Sequence, residues 1–360
     1  MNVTKSKARV IMLRSFFIFL SSLFSFSTNI AASEGWVVPE KRLSAASGLS
    51  DETRQLLTVL GASQFDMRKM TLDGDLRQGL LGIAEQAMLQ QKDITIETHE
   101  SQFGVKIQTS EMAAVKVYKI SPPQINTAFE GRIFMHAHGG AHFRGGGAMA
   151  AQEGAMIAAS AGIEVISVDY TLSTEGPFPA ALNDLVTVYQ ELLKTFPASA
   201  IAVGGSSAGG NLTLATVLKL KALNIDVPGA LFVGTPNADL LYTGDTIITN
   251  EYVDNTLVTV EGMIRASAKL YAGDHDLKNP LISPLYGDFS DFPPTYLVAG
   301  TRDLLLSDTV KVHRKLREAG VEADLNVFEG LPHAAYLAVP GSKEFNGALG
   351  DLKTFLQRHL

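Results

Sequence analysis

Gly205-Ser206-Ser207-Ala208-Gly209 is the stretch of the chain best suited to chemistry: a serine among small residues, directly after the apolar run Ile201-Ala202-Val203 and directly before a helical pattern over Ala208–Ala222. A G-x-S-x-G pentapeptide in that context lifts its serine above the edge of a sheet on a tight strand-to-helix turn, and the flanking glycines let crowded backbones pass. The helix start also turns free N–H groups and a positive dipole end towards any oxyanion formed there. Without that context the pentapeptide is only a small-residue turn. A serine hydroxyl is a poor nucleophile, so the chemistry requires a base, and the base an acid to orient it.

A second element is His136-Ala137-His138-Gly139-Gly140-Ala141, which ends an apolar run beginning at Arg132. Consecutive glycines after a strand allow backbone N–H groups to converge on one point, as an oxyanion hole requires. A metal site competes with that reading, because His136, His138 and His142 form an H-x-H-x3-H cluster and alternate strand residues share a face. No adjacent aspartate completes such a site, and the glycines favour a backbone role. A phosphate cradle lacks both the P-loop lysine and a G-x-G-x-x-G after the first strand.

Of the eight histidines, His333 stands in Gly330-Leu331-Pro332-His333-Ala334-Ala335, a loop after the last expected strand. His99, His275, His313 and His359 are expected to be solvated. An acid should come from the end of an intervening strand, and Asp303 in Gly300-Thr301-Arg302-Asp303 meets that requirement. Asp308 is accounted for by the first turn of a helix after Ser307. The order Ser207, Asp303, His333 is that of an α/β-hydrolase and differs from the chymotrypsin and subtilisin orders.

With these motifs the chain resembles the hormone-sensitive-lipase-like branch of the α/β-hydrolase superfamily, the bacterial carboxylesterases and acetyl-hydrolase-like enzymes. His138-Gly139-Gly140-Ala141 is similar to that family's H-G-G-G, with alanine last. Gly205-Ser206-Ser207-Ala208-Gly209-Gly210-Asn211 is similar to its G-D-S-A-G-G-N, with Ser206 in the acidic position. Val168-Asp169-Tyr170, Pro177-Phe178-Pro179-Ala180-Ala181, Ser283-Pro284-Leu285-Tyr286 and Asp303-Leu304-Leu305 resemble further family stretches, and the likeness covers most of the chain after about residue 100. The resemblance implies Ser207 as nucleophile, His333 as general base and then acid, and Asp303 as orienting carboxylate. It also implies an oxyanion hole from the N–H groups of Gly139, Gly140 and Ala208, with His138, Gly205 and Gly209 supporting the motifs. The implied reaction is hydrolysis of small or short-acyl esters, without metal or cofactor. A lactonase or amidase would use the same residues, and a catalytically silent binding protein is the alternative from another class. Ala141 lacks glycine's freedom at positive φ, so the loop is expected to differ slightly, and Ser206 is expected to alter pH behaviour.

The elements that must position these residues alternate from Gly104 onward. Expected strands are Gly104–Thr109, Ala114–Ile120, Arg132–Ala137, Glu164–Val168, Ile201–Gly204, Ala230–Val233, Thr295–Ala299 and Asp324–Phe328. Helical patterns cover Ala148–Ala161, Ala180–Thr195, Ala208–Ala222, Asp308–Ala319 and Ser342–Arg358. This is an α/β chain with a mostly parallel sheet and helices on both faces. Residues 34–92, with helices near Ser50–Leu60 and Leu76–Gln90, and an insertion at 237–280, helical near Val260–Leu270, are expected to form a cap. Residues 93–360 are then the hydrolase core. Leu240, Leu241, Tyr242 and Ile264 are candidates for an acyl pocket or for ordinary core.

At 360 residues, 46% hydrophobic and 19% charged, the chain can bury a large core. It has no cysteine, which excludes disulfides, thiol nucleophiles, cysteine-ligated zinc or iron–sulfur clusters and cysteine-anchored lipid. A net charge of −7 without a basic patch argues against a nucleic-acid partner. Residues 1–33 hold Lys5, Lys7, Arg9 and Arg14, then the uncharged Ser15–Ser27 and the small Ala31-Ala32-Ser33. That order predicts an export signal cleaved after Ala32 or Ser33, leaving a soluble acidic protein with no stable membrane anchor; an uncleaved tether is the alternative. The oligomeric state is not legible.

Overall fold

The computed structural model describes residues 39–40, 42–60 and 75–360. The expected export signal at 1–33 lies outside the described residues. The chain divides after Arg42, and every helix and strand named below belongs to the unit Leu43–Leu360.

Helices α1 (Asp51–Leu60), α2 (Leu76–Gln90) and α3 (Ile96–Phe103) precede strands β1 (Lys106–Met112), β2 (Val115–Ser121) and β3 (Ile133–Ala137). Then come α4 (Gln152–Ala161), β4 (Glu164–Val168), α5 (Ala180–Leu192), β5 (Ile201–Ser206), α6 (Ala208–Ala222) and β6 (Ala230–Gly234). The short α7 (Thr246–Thr249) and α8 (Met263–Ala272) lie in the insertion, and β7 (Thr295–Gly300), α9 (Leu306–Glu318), β8 (Ala323–Phe328) and α10 (Lys343–His359) complete the unit.

The eight strands form one sheet in the order β1-β2-β4-β3-β5-β6-β7-β8. Pairings β1–β2 and β2–β4 are antiparallel and the rest parallel. Every residue of β3, β5, β6 and β7 is buried, which is why these strands read as continuous apolar runs. Their side chains alternate between two cores. Met135, Val203, Val233 and Leu297 face one with Leu185, Leu214 and Val312 of α5, α6 and α9. Phe134, Ala202, Phe232 and Val298 face the other with Ile157 of α4 and Leu352 of α10.

All eight expected strands are present, with differences at their ends. β5 runs on to Ser206 because its pairing with β6 continues to Ser206↔Gly234. β1 starts at Lys106, because Gly104 (φ +69°) terminates α3, a helix that polar IETHESQF did not reveal. A 3-10 turn over Gly147–Ala151 takes the start of the expected Ala148–Ala161 helix, and the insertion helix runs Met263–Ala272 after Gly262 (φ +78°).

Several expectations of solvation are overturned. His99, on the buried side of α3, has Nε2 3.1 Å from the Ala148 carbonyl. His359 packs on Phe355 at 4.5 Å and pairs with Glu322, and His313 is half-buried with Nε2 3.3 Å from the Ala323 carbonyl. Only His275 of the four is exposed. Asp308 does stand in the first turn of α9, but it is buried and accepts the N–H groups of Ala238 and Asp239, both at 2.9 Å, so it ties the insertion to the core.

Burial pushes the Asp308 carboxyl up to about 8, against the two N–H groups that favour its charge. The unfolded chain releases this proton near pH 4. Between these values the folded state binds the extra proton, so this group's contribution to stability falls as pH rises from about 4 to 8 and is level above. Asp308→Asn removes that slope. Its Tm relative to the unsubstituted protein should climb between pH 5 and 8 in thermal melts; a pH-independent difference contradicts the assignment.

Candidate active site

The adjacency of β3 and β5 sets the site. A Cβ added at either Gly205 or Gly209 would lie 1.9 Å from the Ala137 carbonyl oxygen, so the end of β3 crosses the Ser207 turn at a distance only glycine permits. Within that turn Ser207 is held at φ +61°, ψ −118°, with its N–H given to the Gly234 carbonyl at 2.8 Å. Positive φ in a residue with a Cβ costs about 1–3 kcal/mol and persists only where its surroundings over-determine it. The result aims Oγ away from the sheet edge.

His333 follows β8, and its Nε2 lies 2.9 Å from Ser207 Oγ. On the other side of the ring, Nδ1 is 3.1 Å from Asp303 Oδ1. Nδ1–H donates to that carboxylate, leaving Nε2 as acceptor for the serine proton. Asp303 is fully buried and also accepts the Leu305 N–H at 2.8 Å and the Thr235 hydroxyl, which itself lies 3.1 Å from His333 Nδ1. The structure therefore brings together the three residues singled out in the sequence.

The loop after β3 lies against the same turn. A Cβ on Gly139 would sit 3.1 Å from the Ser206 carbonyl oxygen and 3.6 Å from Ser207 Cβ. Gly140 (φ +113°) has no room for a side chain beside the Arg144 backbone. Ala141 takes a left-handed conformation without being glycine (φ +52°), and His142 does the same (φ +64°). Among the described residues no loop or turn acceptor takes the N–H groups of Gly139, Gly140 or Ala208.

The three clustered histidines have separate partners. His136 Nδ1 is 2.6 Å from Ser167 Oγ and its Nε2 is 3.2 Å from Glu153. His138 stacks on Tyr170 at 3.9 Å and reaches the Gly139 carbonyl at 2.7 Å, while His142 stacks on Tyr271 at 3.9 Å. The H-x-H-x3-H spacing thus does not gather three rings on one ion. Burial pushes His138 down to about 4 and His142 down to about 3, so both are neutral supports of the loop.

Three participants were not legible in the sequence. Thr235 directly follows β6, and no motif marks it. Asp254 of the insertion is buried, and its Oδ2 accepts the N–H groups of Leu304 (2.9 Å) and His333 (3.3 Å). Its Oδ1 accepts those of Thr256 (2.8 Å) and Leu257 (3.1 Å). One carboxylate so pins the acid loop to the histidine loop. Burial, then the charge of Asp303, raises Asp254 to about 6. For His333 burial is the largest effect and disfavours the charged form, but the charge and hydrogen bond of Asp303 and the charge of Asp254 outweigh it, leaving the ring above the ordinary histidine value. The third is Glu153 of α4, which accepts the Ser206 hydroxyl at 2.5 Å; the Tyr336 hydroxyl is 2.7 Å from the same serine oxygen. The acid absent from position 206 is supplied from a helix.

Ser207 and His333 open onto a cavity of about 1060 Å³. Ala84, Ala87 and Met88 of α2 and Thr256, Leu257 and Ile264 of the insertion line it with Gly139 and Gly140. Of the four acyl-pocket candidates only Ile264 reaches this wall; Leu240 and Tyr242 are core.

Comparison with known proteins agrees with this sheet order and fold. A family model described as alpha/beta hydrolase fold matches residues 134–337, and the chain belongs to that family. It is 30% identical over 256 residues to an esterase of Acinetobacter venetianus, covering 70% of this chain and 82% of that one. The crystal structure of an esterase E25 superposes with a TM-score of 0.86 at 40% identity, covering 91% of this chain and 99% of that one. An esterase from the bacterial hormone-sensitive lipase family superposes with a TM-score of 0.70 at 27% identity, covering 86% and 98%.

Ser206→Ala removes the hydroxyl between Glu153 and the fully buried Tyr336, leaving the phenol without its partner. Urea unfolding should show a loss of about 1–3 kcal/mol, the cost of an unsatisfied buried polar group; an unchanged midpoint would mean the contact carries no stability.

Proposed function

We propose that this chain is a serine carboxylesterase that hydrolyses small esters through an acyl-enzyme. The observation that carries the reading is the continuous path from Ser207 Oγ through His333 to Asp303 at the wall of a cavity, beside the N–H groups of Gly139, Gly140 and Ala208, which no loop or turn acceptor takes among the described residues. The esterases among its relatives support it.

In the first step Ser207 Oγ attacks the ester carbonyl as its proton moves to His333 Nε2. The resulting oxyanion is stabilised by the N–H groups of Gly139, Gly140 and Ala208. Asp303 holds Nδ1–H and favours the imidazolium. Collapse breaks the bond to the alkoxy oxygen, which leaves with the proton from Nε2, and Ser207 carries the acyl group. Water then gives a proton to His333 and attacks the acyl carbon, and the proton returns to Ser207 as the carboxylic acid departs. Asp254 acts through His333 and Leu304 by fixing the two loops.

Ser207→Ala should lower kcat on a short aryl ester by roughly 10⁶ and abolish labelling by a fluorophosphonate; substantial hydrolysis by that variant would falsify the assignment. A panel of short esters, lactones and anilides separates esterase from lactonase or amidase.

His333 must be neutral to act as base, so kcat/KM should rise with pH through a midpoint above the ordinary histidine value. Asp254→Asn takes a negative charge from the ring's surroundings and should move that acid limb to lower pH while lowering the plateau. An unshifted limb would show that Asp254 has no electrostatic influence on His333.

A further inference from the structure

The cavity wall carries several charged side chains, and nearly all have partners. Lys116 pairs with Asp169 at 2.9 Å, Glu153 holds Ser206 and His136, Asp184 accepts the Thr171 N–H at 2.7 Å, and Glu175 accepts that of Leu172 at 3.1 Å. Arg144 differs. It lines the cavity four residues beyond Gly140, and its backbone N–H is fixed to the Gly140 carbonyl at 3.2 Å. Its guanidinium has neither a hydrogen bond nor an ion pair among the described residues; it lies over the Phe143 ring, 5.8 Å from the guanidinium carbon to the centroid. It is half-buried, enough that loss of water pushes its pKa below the ordinary arginine value, and close enough to His333 for its charge to oppose protonation of that ring.

A guanidinium offers five N–H donors in a planar fork that fits a carboxylate. Partly desolvated beside a reacting centre and without an internal acceptor, it is best satisfied by an anion that arrives with the substrate. We propose that Arg144 is a substrate-anion site, and that the preferred substrates are short esters bearing a second, ionised carboxylate, such as half-esters of dicarboxylic acids. This deepens the esterase reading and rests on it. The carboxylate would be bound by Arg144 while the ester carbonyl lies between Ser207 Oγ and the N–H groups of Gly139 and Gly140. Because Arg144 belongs to the same loop as those donors, one rigid segment would hold both ends of such a substrate.

Two substrate pairs test this. 4-Nitrophenyl hemisuccinate against 4-nitrophenyl butyrate places the charge on the acyl side, and 4-acetoxybenzoate against phenyl acetate places it on the alcohol side. In at least one pair kcat/KM should favour the anionic ester, and Arg144→Gln should reduce that preference by about tenfold to a hundredfold, the range for charge-assisted bonds to a carboxylate. Arg144→Lys should retain part of it, and the responding pair locates the carboxylate. If neither ratio changes in Arg144→Gln, the proposal is overturned. A binding measurement is independent of turnover: calorimetry with succinate on Ser207→Ala should show binding that Arg144→Gln weakens to the same degree, and equal binding by both proteins refutes the site. Failure of the esterase reading would show separately, as absent hydrolysis of 4-nitrophenyl butyrate by the unsubstituted protein.

Discussion

The site depends on one backbone crossing. The carbonyl of Ala137 passes so close to the Ser207 turn that neither Gly205 nor Gly209 has room for a Cβ. That approach requires β3 and β5 to be parallel neighbours in register, which the pairing Ile133↔Ile201 through His136↔Gly204 provides. From it follow the positive φ of Ser207 and the position of Gly139 against the serine. Ser207 follows β5 and the N–H groups of Gly139 and Gly140 follow β3, yet their relative placement is a matter of backbone geometry and owes nothing to flexible side chains. An added methyl group on either glycine would collide with the Ala137 carbonyl and force the two loops apart.

Around this rigid centre the insertion is fastened by buried acids. Asp308 receives two N–H groups from Ala238 and Asp239, and Asp254 reaches back to Leu304 and His333. Asp239 accepts the Thr243 N–H at 3.1 Å and the Tyr286 hydroxyl at 3.1 Å. Carboxylates in such places cost solvation and return it as several backbone bonds each. The gain is geometric: the segment bearing Thr256, Leu257 and Ile264 of the cavity wall is registered against the loops that carry Asp303 and His333. Substrate wall and candidate machinery are one connected structure.

Much of this was legible because each key residue sits where local chemistry speaks loudly. Buried parallel strands appear as β-branched runs, and Gly205, Gly209, Gly139 and Gly140 mark turns that no other residue allows. His333 and Asp303 stand in loops after expected strands. Thr235, Asp254 and Glu153 left no such trace, since each works through contacts with segments far along the chain, 98 residues in the case of Thr235 and His333. The burial of His99 is hidden for a related reason: helix α3 has a polar sequence, and it is covered by packing against α4 and the neighbouring turn. Arg144 resembled any loop arginine until the pairing of the other charges on the cavity wall set it apart.

The Ser206–Glu153 contact has a bearing on how the nucleophile motif can vary. Position 206 and position 153 share one carboxylate between them, although 53 residues separate them in the chain. An aspartate at 206 beside Glu153 would crowd two acids into one enclosed polar site and force one of them to keep a proton. The two positions are therefore coupled in charge: an acid at one is disfavoured while the other keeps its acid. The pentapeptide around Ser207 is in that respect a six-residue unit whose last member lies on another helix.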